Sequence, residues 1–226
     1  MKNAPSTYRT NPLLRLSYSL IAPFYDALIE YPMRKARQRS LALLPAIKPN
    51  RVLLCGVGTG LDLPILPDLH VYTALDFNAA MLARAKSRGK NLNIDFILGD
   101  CMTLPFQEAQ FDHVILHLIV AVVPDPRSCL SEAVRVLKPG GTIIIFDKFL
   151  QPSQSAPVRR LFNGISRRLA TRMDVVFEDV LQSAPELEIK HNIPMLANGW
   201  FRSILLHKNI EPNEIAKNND LLLSGN

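Results

Sequence analysis

A glycine-rich turn between two apolar runs is the stretch of this sequence best suited to holding a ligand. Residues 52–55 are apolar and lead into Gly56-Val57-Gly58-Thr59-Gly60, and a second apolar run ends on Asp76. Glycine lets the backbone approach a ligand with no Cβ in the way, and a carboxylate accepts hydrogen bonds from ribose hydroxyls. The pattern predicts a nucleoside site made of a strand, a turn and the end of a second strand.

The glycine spacing narrows the choice of ligand. Gly60 follows Gly58 by two residues, whereas a dinucleotide-binding turn places its third glycine three residues after the second. Pro64 and Pro67 then follow, so a long regular helix cannot begin there and point its amino end at a phosphate. Both features favour a nucleoside ligand without a pyrophosphate.

Five apolar segments alternate with helical patterns, which predicts an α/β fold with a mostly parallel sheet covered on both faces. In such sheets, ligands bind at the carboxyl ends of the strands, beside the point where the strand order reverses. We therefore expect one cleft lined by the residues at or just beyond the ends of the apolar runs, namely Gly56, Asp76, Asp100, His117 and Asp147.

Capping and breaker residues predict where the elements begin and end. Asn78 is the expected N-cap of a helix that ends near Gly89, and Pro124-Asp125-Pro126 begins another helix. We expect the fourth strand at 111–120 and the fifth at 142–146, with residues 138–141 closing the helix between them. Two further strand patterns occur near 187–190 and 200–206.

The length of 226 residues suits a single domain with extensions. Residues 1–48 are predicted to form an arm and a proline-divided helical cap, 49–208 the sheet core, and 209–226 a polar tail. Cys55, Cys101 and Cys129 are widely spaced and odd in number, which is typical of reduced cytosolic thiols. No apolar run is long enough to span a bilayer and no signal peptide is evident, so the expected location is the cytoplasm.

Positive charge is concentrated in two segments. Residues 1–50 hold eight bases against two acids, whereas the whole chain has a formal charge of +6. Segment 157–172 adds five arginines and no acid. Two basic segments suggest contact with an anionic partner, and a membrane surface suits them at least as well as nucleic acid. Solvated helix faces would carry the same charges without any partner.

Several short motifs carry a resemblance to a known family. In chain order they are the glycine turn, Leu75-Asp76, Gly99-Asp100, Leu104-Pro105-Phe106, Phe111-Asp112, Val123-Pro124-Asp125-Pro126 and residues 135–141. This ordered set resembles the class I S-adenosylmethionine-dependent methyltransferases, above all the branch with the ubiquinone and menaquinone C-methyltransferases and the bacterial phosphatidylethanolamine N-methyltransferases. Tyr18 and residues 22–26 resemble the amino-terminal cap of that branch. The similarity covers about residues 18–150.

The resemblance implies a Rossmann-like doubly wound sheet of about seven strands, mostly parallel with an antiparallel last strand, plus an N-terminal helical cap. It also implies S-adenosylmethionine as the cofactor and no metal. Asp76 would accept the ribose hydroxyls, Asp100 would accept from the adenine amino group, and His117 would lie beside the sulfonium. The implied cofactor-binding residues are Gly56, Gly58, Thr59, Gly60, Asp76, Phe77, Asp100, Cys101, Met102, His117 and Tyr18.

Methyl transfer needs in-line approach of the acceptor with water excluded, and it needs a base only if the acceptor atom is protonated. His117 is the candidate base by its titration range, and Tyr25, folding over the cleft from the cap, is the second catalytic candidate. Asp147 is an alternative base. A histidine at a strand end is also compatible with a buried structural role.

Leu54 departs from the family pattern. Relatives usually carry an acid two residues before the first glycine, where it holds the amino group of the cofactor's methionine part. The missing acid predicts cofactor binding weaker by ~1–3 kcal/mol. A neighbouring group such as Asp62 would offset that loss if it took over the contact.

The predicted function is methyl transfer to a hydrophobic or lipid-like acceptor, a quinone or a phospholipid head group, at the inner face of the membrane. Basic segments 1–50 and 157–172 would supply the peripheral membrane contact. A methyltransferase for a small soluble acceptor is one alternative, and a cofactor-binding protein without turnover, suggested by Leu54, is another. Nucleic acid is not expected as a partner, because the basic segments contain no recognisable RNA-binding module and no Asn/Asp-Pro-Pro-Tyr/Phe signature of base methylation follows the fourth strand.

Overall fold

The computed structural model describes residues 33–150 and 175–210. Seven strands in these ranges form one sheet, and four α-helices and one 3-10 turn accompany it. The strands are β1 Arg51–Cys55, β2 Val71–Asp76, β3 Asn93–Leu98, β4 Phe111–His117, β5 Leu137–Lys148, β6 Leu187–Leu196 and β7 Phe201–Lys208. The helices are α1 (residues 33–41), α2 Ala79–Arg88, α3 Pro126–Val136 and α4 Phe177–Leu181, and the 3-10 turn is Leu63–Ile65.

The sheet has the strand order β3-β2-β1-β4-β5-β7-β6. Neighbouring strands from β3 to β5 are parallel, whereas β7 lies antiparallel between β5 and β6. The predicted α/β class, the strand number and the antiparallel last strand are therefore confirmed. The strand order reverses where β1 lies between β2 and β4, so the carboxyl ends of β1 and β4 form the switch point at which open α/β sheets bind ligands.

Alternating side chains fill a core on each face of the sheet. Leu53 of β1 belongs to a cluster with Leu130 of α3, whereas Leu54 belongs to a cluster with Leu41 of α1 and Ala85 of α2. The two faces of one strand are thus covered by different helices. This two-sided burial explains why the parallel strands appear in the sequence as nearly continuous apolar runs.

Both predicted helix starts are confirmed. The side chain of Asn78 accepts hydrogen bonds from the backbone N–H groups of Ala80 and Met81, and Asp125 caps α3 in the same way. Pro126 follows Asp125 at the start of α3, where a proline costs no intrahelical hydrogen bond. After the glycine turn the chain makes only the single 3-10 turn, as Pro64 and Pro67 predicted.

The boundaries of β4 and β5 differ from the sequence-based expectation. Residues 138–141 do not close α3 as a loop, because Leu137 already pairs with Phe111 and the strand continues from there to Lys148. β4 ends at His117 rather than Val120, since Leu118 adopts a positive φ of 55° and turns the chain. The carboxyl edge at His117 is therefore followed at once by an irregular segment.

Several predictions concern other parts of the chain. Tyr18 and Tyr25, with most of the predicted cap, lie outside the described residues, and so do basic segment 157–172 and residues 211–226. Within the described ranges, no helix is long and apolar enough to cross a membrane. Division of the chain into arm, core and tail stays a prediction.

His113 of β4 is a structural histidine that should make the fold sensitive to acid. Its Nδ1 lies 2.7 Å from Oγ1 of Thr142. Burial lowers the pKa of His113 from 6.5 to about 4, although Asp112 opposes this shift. The folded state therefore resists protonation that the unfolded chain accepts, and stability present above pH 6.5 is lost as the pH falls to about 4.

Thermal unfolding of a His113→Asn variant between these pH values checks this expectation. The variant should lose less melting temperature on acidification than the wild type. His191→Asn, which changes an exposed histidine of β6, serves as the control and should keep the wild-type slope. Equal slopes for all three proteins would show that His113 does not cause the acid sensitivity.

Candidate functional site

The three glycines of the turn all have positive φ, but their surroundings differ. A Cβ on Gly56 would lie 2.6 Å from Cδ1 of Ile119, and a Cβ on Gly60 would lie 2.9 Å from Cα of Ala85 in α2. A Cβ on Gly58 would meet nothing within 4 Å. Gly56 and Gly60 therefore let protein segments pack closely, and Gly58 faces the open space in which a ligand can approach the backbone.

This difference predicts opposite results for two alanine substitutions. Gly60→Ala adds a clash with the α2 backbone to the strain of its positive φ of 82°, which should lower the free energy of unfolding by about 2–4 kcal/mol. Gly58→Ala carries strain only, about 1–2 kcal/mol, but its methyl group occupies ligand space. We expect Gly58→Ala to lose more affinity for S-adenosylhomocysteine, and Gly60→Ala to lose more stability.

Urea denaturation and calorimetric titration measure the two quantities on the same preparations. Comparison of the two variants removes the effect of positive φ, which they share. A Gly58→Ala variant that binds S-adenosylhomocysteine as tightly as the wild type would place the ligand elsewhere.

Asp76 ends β2 and ties the glycine turn to α2. One carboxylate oxygen accepts from the N–H of Gly58 at 2.8 Å, and the other accepts from the N–H of Asn78 at 2.9 Å. Burial raises the pKa of Asp76, and the N–H groups of Asn78 and Gly58 oppose that shift. The backbone of Phe77 contributes a further hydrogen bond, and the remaining acceptor capacity of the carboxylate is available to ligand hydroxyls.

Other predicted contact residues surround Asp76 along the carboxyl edge. Phe77 follows it with 38% of its surface exposed, which offers an apolar ring beside the carboxylate. Thr59 is buried in the turn, where its carbonyl accepts from Nη1 of Arg88 at 2.6 Å. Gly99, at the end of β3, donates its N–H to the backbone oxygen of Asp76 at 3.0 Å. The ends of β2 and β3 are thus joined beside the turn.

Asp100 lies in the tight turn after β3. Its carboxylate accepts from the N–H of Met102 at 2.9 Å, and Asp100 also forms a bridge with Thr103. The side chain of Cys101 is buried in the core next to α3, whereas Met102 is only partly buried against the same core. Cys101 therefore presents its backbone to the edge of the sheet, and Asp100 and Met102 present side chains.

His117 belongs to a buried polar network that joins α1 to the sheet. Its Nε2 lies 3.0 Å from Oγ of Ser40, which accepts from Oγ of Ser203 at 2.9 Å. Its Nδ1 lies 3.2 Å from Oδ2 of Asp62, and Nη1 of Arg37 donates to Oδ1 of Asp62 at 2.7 Å. We call these five residues the α1 network. It crosses from α1 to the turn, β4 and β7.

The surroundings of Asp62 in the α1 network fix its ionisation state. The Ser40 hydroxyl bridges Oγ of Ser203 and Nε2 of His117, and the donor between Ser40 and His117 depends on the tautomer of the ring. Burial alone would raise the pKa of Asp62, but His117 and Arg37 hold it well below its ordinary value. Asp62 is therefore ionised beside the Arg37 guanidinium and the His117 ring.

His117 has the environment of a positioning residue. Only 2% of its side chain is exposed, both ring nitrogens face protein groups, and the ring packs edge-on against Phe146 at 5.6 Å. Ser40, His117 and Asp62 have the connectivity of a hydrolase triad, but Ser40 is 0% exposed and no substrate reaches its hydroxyl. The predicted base thus lies at the expected strand end but is enclosed by protein, with Nε2 3.0 Å from Oγ of Ser40 and Nδ1 facing the Asp62 carboxylate at 3.2 Å without an aligned hydrogen bond.

Asp147 does not line the cleft, so that prediction is wrong. It is 0% exposed, and its carboxylate accepts from the N–H groups of Ala121 and Lys148 at 2.9 and 2.8 Å. Burial raises its pKa. Asp147 is in phase with Ile143 and Ile145, which pack on the α3 side of the sheet. It therefore fixes the segment after β4 from within the core and is no candidate base.

Leu54 is buried in the apolar cluster beside α1. It pairs with Ala74 on β2 and Ile115 on β4, so its side chain has only apolar neighbours in register. Asp62 does lie at the same carboxyl edge, but Arg37 and His117 already share its charge. Whether Asp62 replaces the family acid stays a prediction.

Sequence reasoning missed Arg37, Ser40 and Ser203. Arg37 and Ser40 are three residues apart on α1, which places them on one helix face, and this spacing was the signal available. Ser203 is separated from Ser40 by 163 residues and gave no local signal. The residues that the structure does bring together at the open edge, Gly58, Asp76, Phe77, Asp100 and Met102, fit a nucleoside by their spare acceptors and apolar surface.

Comparison with known proteins agrees with this geometry. Residues 53–145 match the family described as a methyltransferase domain. The phosphatidylethanolamine N-methyltransferase of Cereibacter sphaeroides is 31% identical over 182 residues, which cover 78% of this chain and 89% of that protein. The demethylmenaquinone methyltransferase of Renibacterium salmoninarum is 34% identical over 130 residues, which cover 55% of this chain and 54% of that protein. The chain thus spans only about half the length of this second relative.

Solved structures share the fold at low sequence identity. The N-methyltransferase NodS of Bradyrhizobium japonicum, in complex with S-adenosylhomocysteine, superposes with a TM-score of 0.61 at 17% identity. The matched region covers 79% of this chain and 87% of NodS. Similarity at this level describes the architecture of the sheet and its helices.

Proposed function

This chain belongs to the S-adenosylmethionine-dependent methyltransferases, and from that premise we propose that it methylates a lipid-like acceptor, in the first place the amine of a phospholipid head group. The observation that carries this proposal is the similarity to the phosphatidylethanolamine N-methyltransferase of Cereibacter sphaeroides, which extends over 89% of that protein. At 182 residues this similarity is longer than the methyltransferase-domain match over residues 53–145, so it extends beyond that domain match.

Bound S-adenosylmethionine supplies a methyl group that is already activated on a sulfonium, so the protein has to bind, orient and exclude water. In the proposed site, Gly58 leaves room at the turn, Asp76 holds the ribose hydroxyls, and Phe77 with Met102 supplies apolar surface for the adenine. Asp100 accepts from the adenine amino group. Thr59, Gly56 and Gly60 shape the turn from the protein side.

The acceptor amine must lose a proton before it attacks. His117 keeps its nitrogens toward Ser40 and Asp62, so we assign it a positioning role at the end of β4. Tyr25 is then the remaining catalytic candidate of the two named from the sequence, and Tyr18 the remaining cap contact to the cofactor. Both lie outside the described residues, and their roles are proposals.

The basic segments support a membrane-surface acceptor. Residues 1–50 and 157–172 carry net charges of +6 and +5, so the rest of the chain is net negative. Cations near an anionic membrane contribute about 1 kcal/mol each. We propose that these segments hold the protein at the inner face of the membrane while the head group enters the cleft. Liposome flotation should then weaken as the salt concentration rises.

A quinone ring carbon is the second candidate acceptor, because relatives named as demethylmenaquinone methyltransferases align with 34% identity. That alignment covers 54% of the Renibacterium salmoninarum protein, which makes it weaker support than the phospholipid similarity. A small soluble acceptor and cofactor binding without turnover are the remaining alternatives.

Transfer of labelled methyl groups to defined vesicles separates these acceptors. We expect label in phosphatidylethanolamine vesicles and none in phosphatidylcholine vesicles, whose head group carries no free amine hydrogen. Label only in added demethylmenaquinone would favour the quinone, and label only in water-soluble material would overturn the lipid proposal. Binding of S-adenosylhomocysteine without any labelled product would favour a protein without turnover.

A further inference from the structure

Arg37 is a buried cation with unused hydrogen-bonding capacity. Its side chain is only 10% exposed, and its one ion pair with a residue of 33–150 or 175–210 is the contact of Nη1 with Asp62 at 2.7 Å. Nε is buried and has no hydrogen-bond partner in the part of the chain that the structure describes. A guanidinium has five N–H donors, so most of the donors of Arg37 are not used by the described part of the chain.

The position of Arg37 places those donors at the switch point. Asp62, its partner, follows the glycine turn by two residues, and His117, the other partner of Asp62, ends β4. Arg37 is therefore held at the carboxyl edge where β1 and β4 meet. The facing groups are the Asp62 carboxylate, the His117 ring and the hydroxyl of Ser40, which leaves Arg37 as the cation of the α1 network.

Retention of a buried arginine needs an explanation, because an unpaired buried donor costs free energy and an ion pair in this setting is often no better than apolar residues. A purely structural pair with Asp62 would be served by one N–H. A planar guanidinium with an unpartnered Nε is suited to an oxyanion, which accepts two parallel hydrogen bonds.

We propose that Arg37 binds an anionic oxygen group of a ligand in the cleft, either the phosphate of the acceptor head group or the carboxylate of the cofactor's methionine part. This inference rests on the proposed function. In both ligands the anionic group lies near a cationic nitrogen. The Asp62 carboxylate beside Arg37 is complementary to that nitrogen. The Arg37–Asp62 pair is thus complementary to a zwitterion, with Arg37 as the anion-binding member.

Calorimetric binding with an Arg37→Gln variant tests the proposal and distinguishes the two sources. S-adenosylhomocysteine is compared with methylthioadenosine, which lacks the carboxylate, and dihexanoyl phosphatidylethanolamine is titrated into the S-adenosylhomocysteine complex. Loss of a charge-assisted contact should weaken binding by about 10- to 100-fold. The loss falls on S-adenosylhomocysteine alone if Arg37 holds the carboxylate, and on the phospholipid alone if it holds the phosphate.

Two further variants keep the test decisive. Arg37→Lys retains the charge beside Asp62 and should fold normally, as circular dichroism would verify, yet lose part of the same affinity because it lacks the planar fork. Lys86→Gln removes an exposed cation from α2 and should bind both ligands like the wild type. A folded Arg37→Lys or Arg37→Gln protein that binds both ligands as tightly as the wild type overturns the proposal.

Failure of the proposed function gives a different result. A wild-type protein that binds no S-adenosylhomocysteine refutes the methyltransferase site, and the assignment of Arg37 falls with it. A wild-type protein that binds S-adenosylhomocysteine, with variants that match it for both ligands, refutes only the assignment of Arg37.

Discussion

Substitution of Asp76 by asparagine is expected to weaken binding of S-adenosylhomocysteine by about 100-fold, because two charge-assisted hydrogen bonds to ribose are worth about 3 kcal/mol together. The amide keeps the size of the carboxylate but has one acceptor oxygen. Its NH₂ group would face either the N–H of Gly58 or that of Asn78, which the carboxylate now accepts at 2.8 and 2.9 Å. The substitution therefore disturbs the turn as well as the ligand.

Isothermal titration of the wild type and variant measures this loss. Stability should change much less than affinity, because burial raises the pKa of Asp76 and its charge is not a source of folding stability. Asp95→Asn, which removes an exposed carboxylate from β3, is the matched control and should bind like the wild type. Equal affinity of the Asp76→Asn protein would remove Asp76 from the cofactor site.

Substitution of Asp62 by alanine should lower the free energy of unfolding by about 3–5 kcal/mol, the cost of leaving a buried charge without its partner. Arg37 would lose its one ion pair within the described residues, and Nδ1 of His117 would lose the carboxylate 3.2 Å away. Urea denaturation measures the loss. Because His117 and Arg37 hold the pKa of Asp62 well below 3.8, the loss should be present at neutral pH and shrink only in strong acid.

A double variant separates the ion pair from the packing of its side chains. Arg37→Met combined with Asp62→Leu removes both charges, and replacement of a whole buried pair by apolar residues is often close to neutral. The double variant should therefore be more stable than Asp62→Ala alone. The exposed pair of Lys190 with Glu188 offers a control, since Glu188→Ala should have little effect. An Asp62→Ala protein as stable as this control would contradict a buried α1 network.

Local signals were sufficient for much of the fold. The glycine turn, the cap at Asn78 and the short turn at Pro64 each depend on backbone chemistry within a few residues, and the structure has all three. The alternation of strand and helix patterns predicted the mostly parallel sheet and the binding edge at its carboxyl ends. Strand ends were harder, because a positive φ at Leu118 and the early pairing of Leu137 depend on tertiary contacts.

The site was predictable only in part, for physical reasons. Asp76 and Asp100 follow apolar runs, so their place at the carboxyl edge could be derived from the strand pattern. Asp147 also follows such a run, but its phase with Ile143 and Ile145 turns it into the core, and that signal was overlooked. Partners in the α1 network are separated by 25 to 163 residues, so the surroundings of His117 could not be derived from its neighbours in sequence.

A crystal structure of the protein with S-adenosylhomocysteine tests the central claim most directly. We predict that both ribose hydroxyls lie within hydrogen-bonding distance of the Asp76 carboxylate. The ligand should lie over the backbone of Gly58, at the carboxyl ends of β1 and β2. A ligand bound with its ribose away from Asp76, or outside this edge of the sheet, would contradict the site described here.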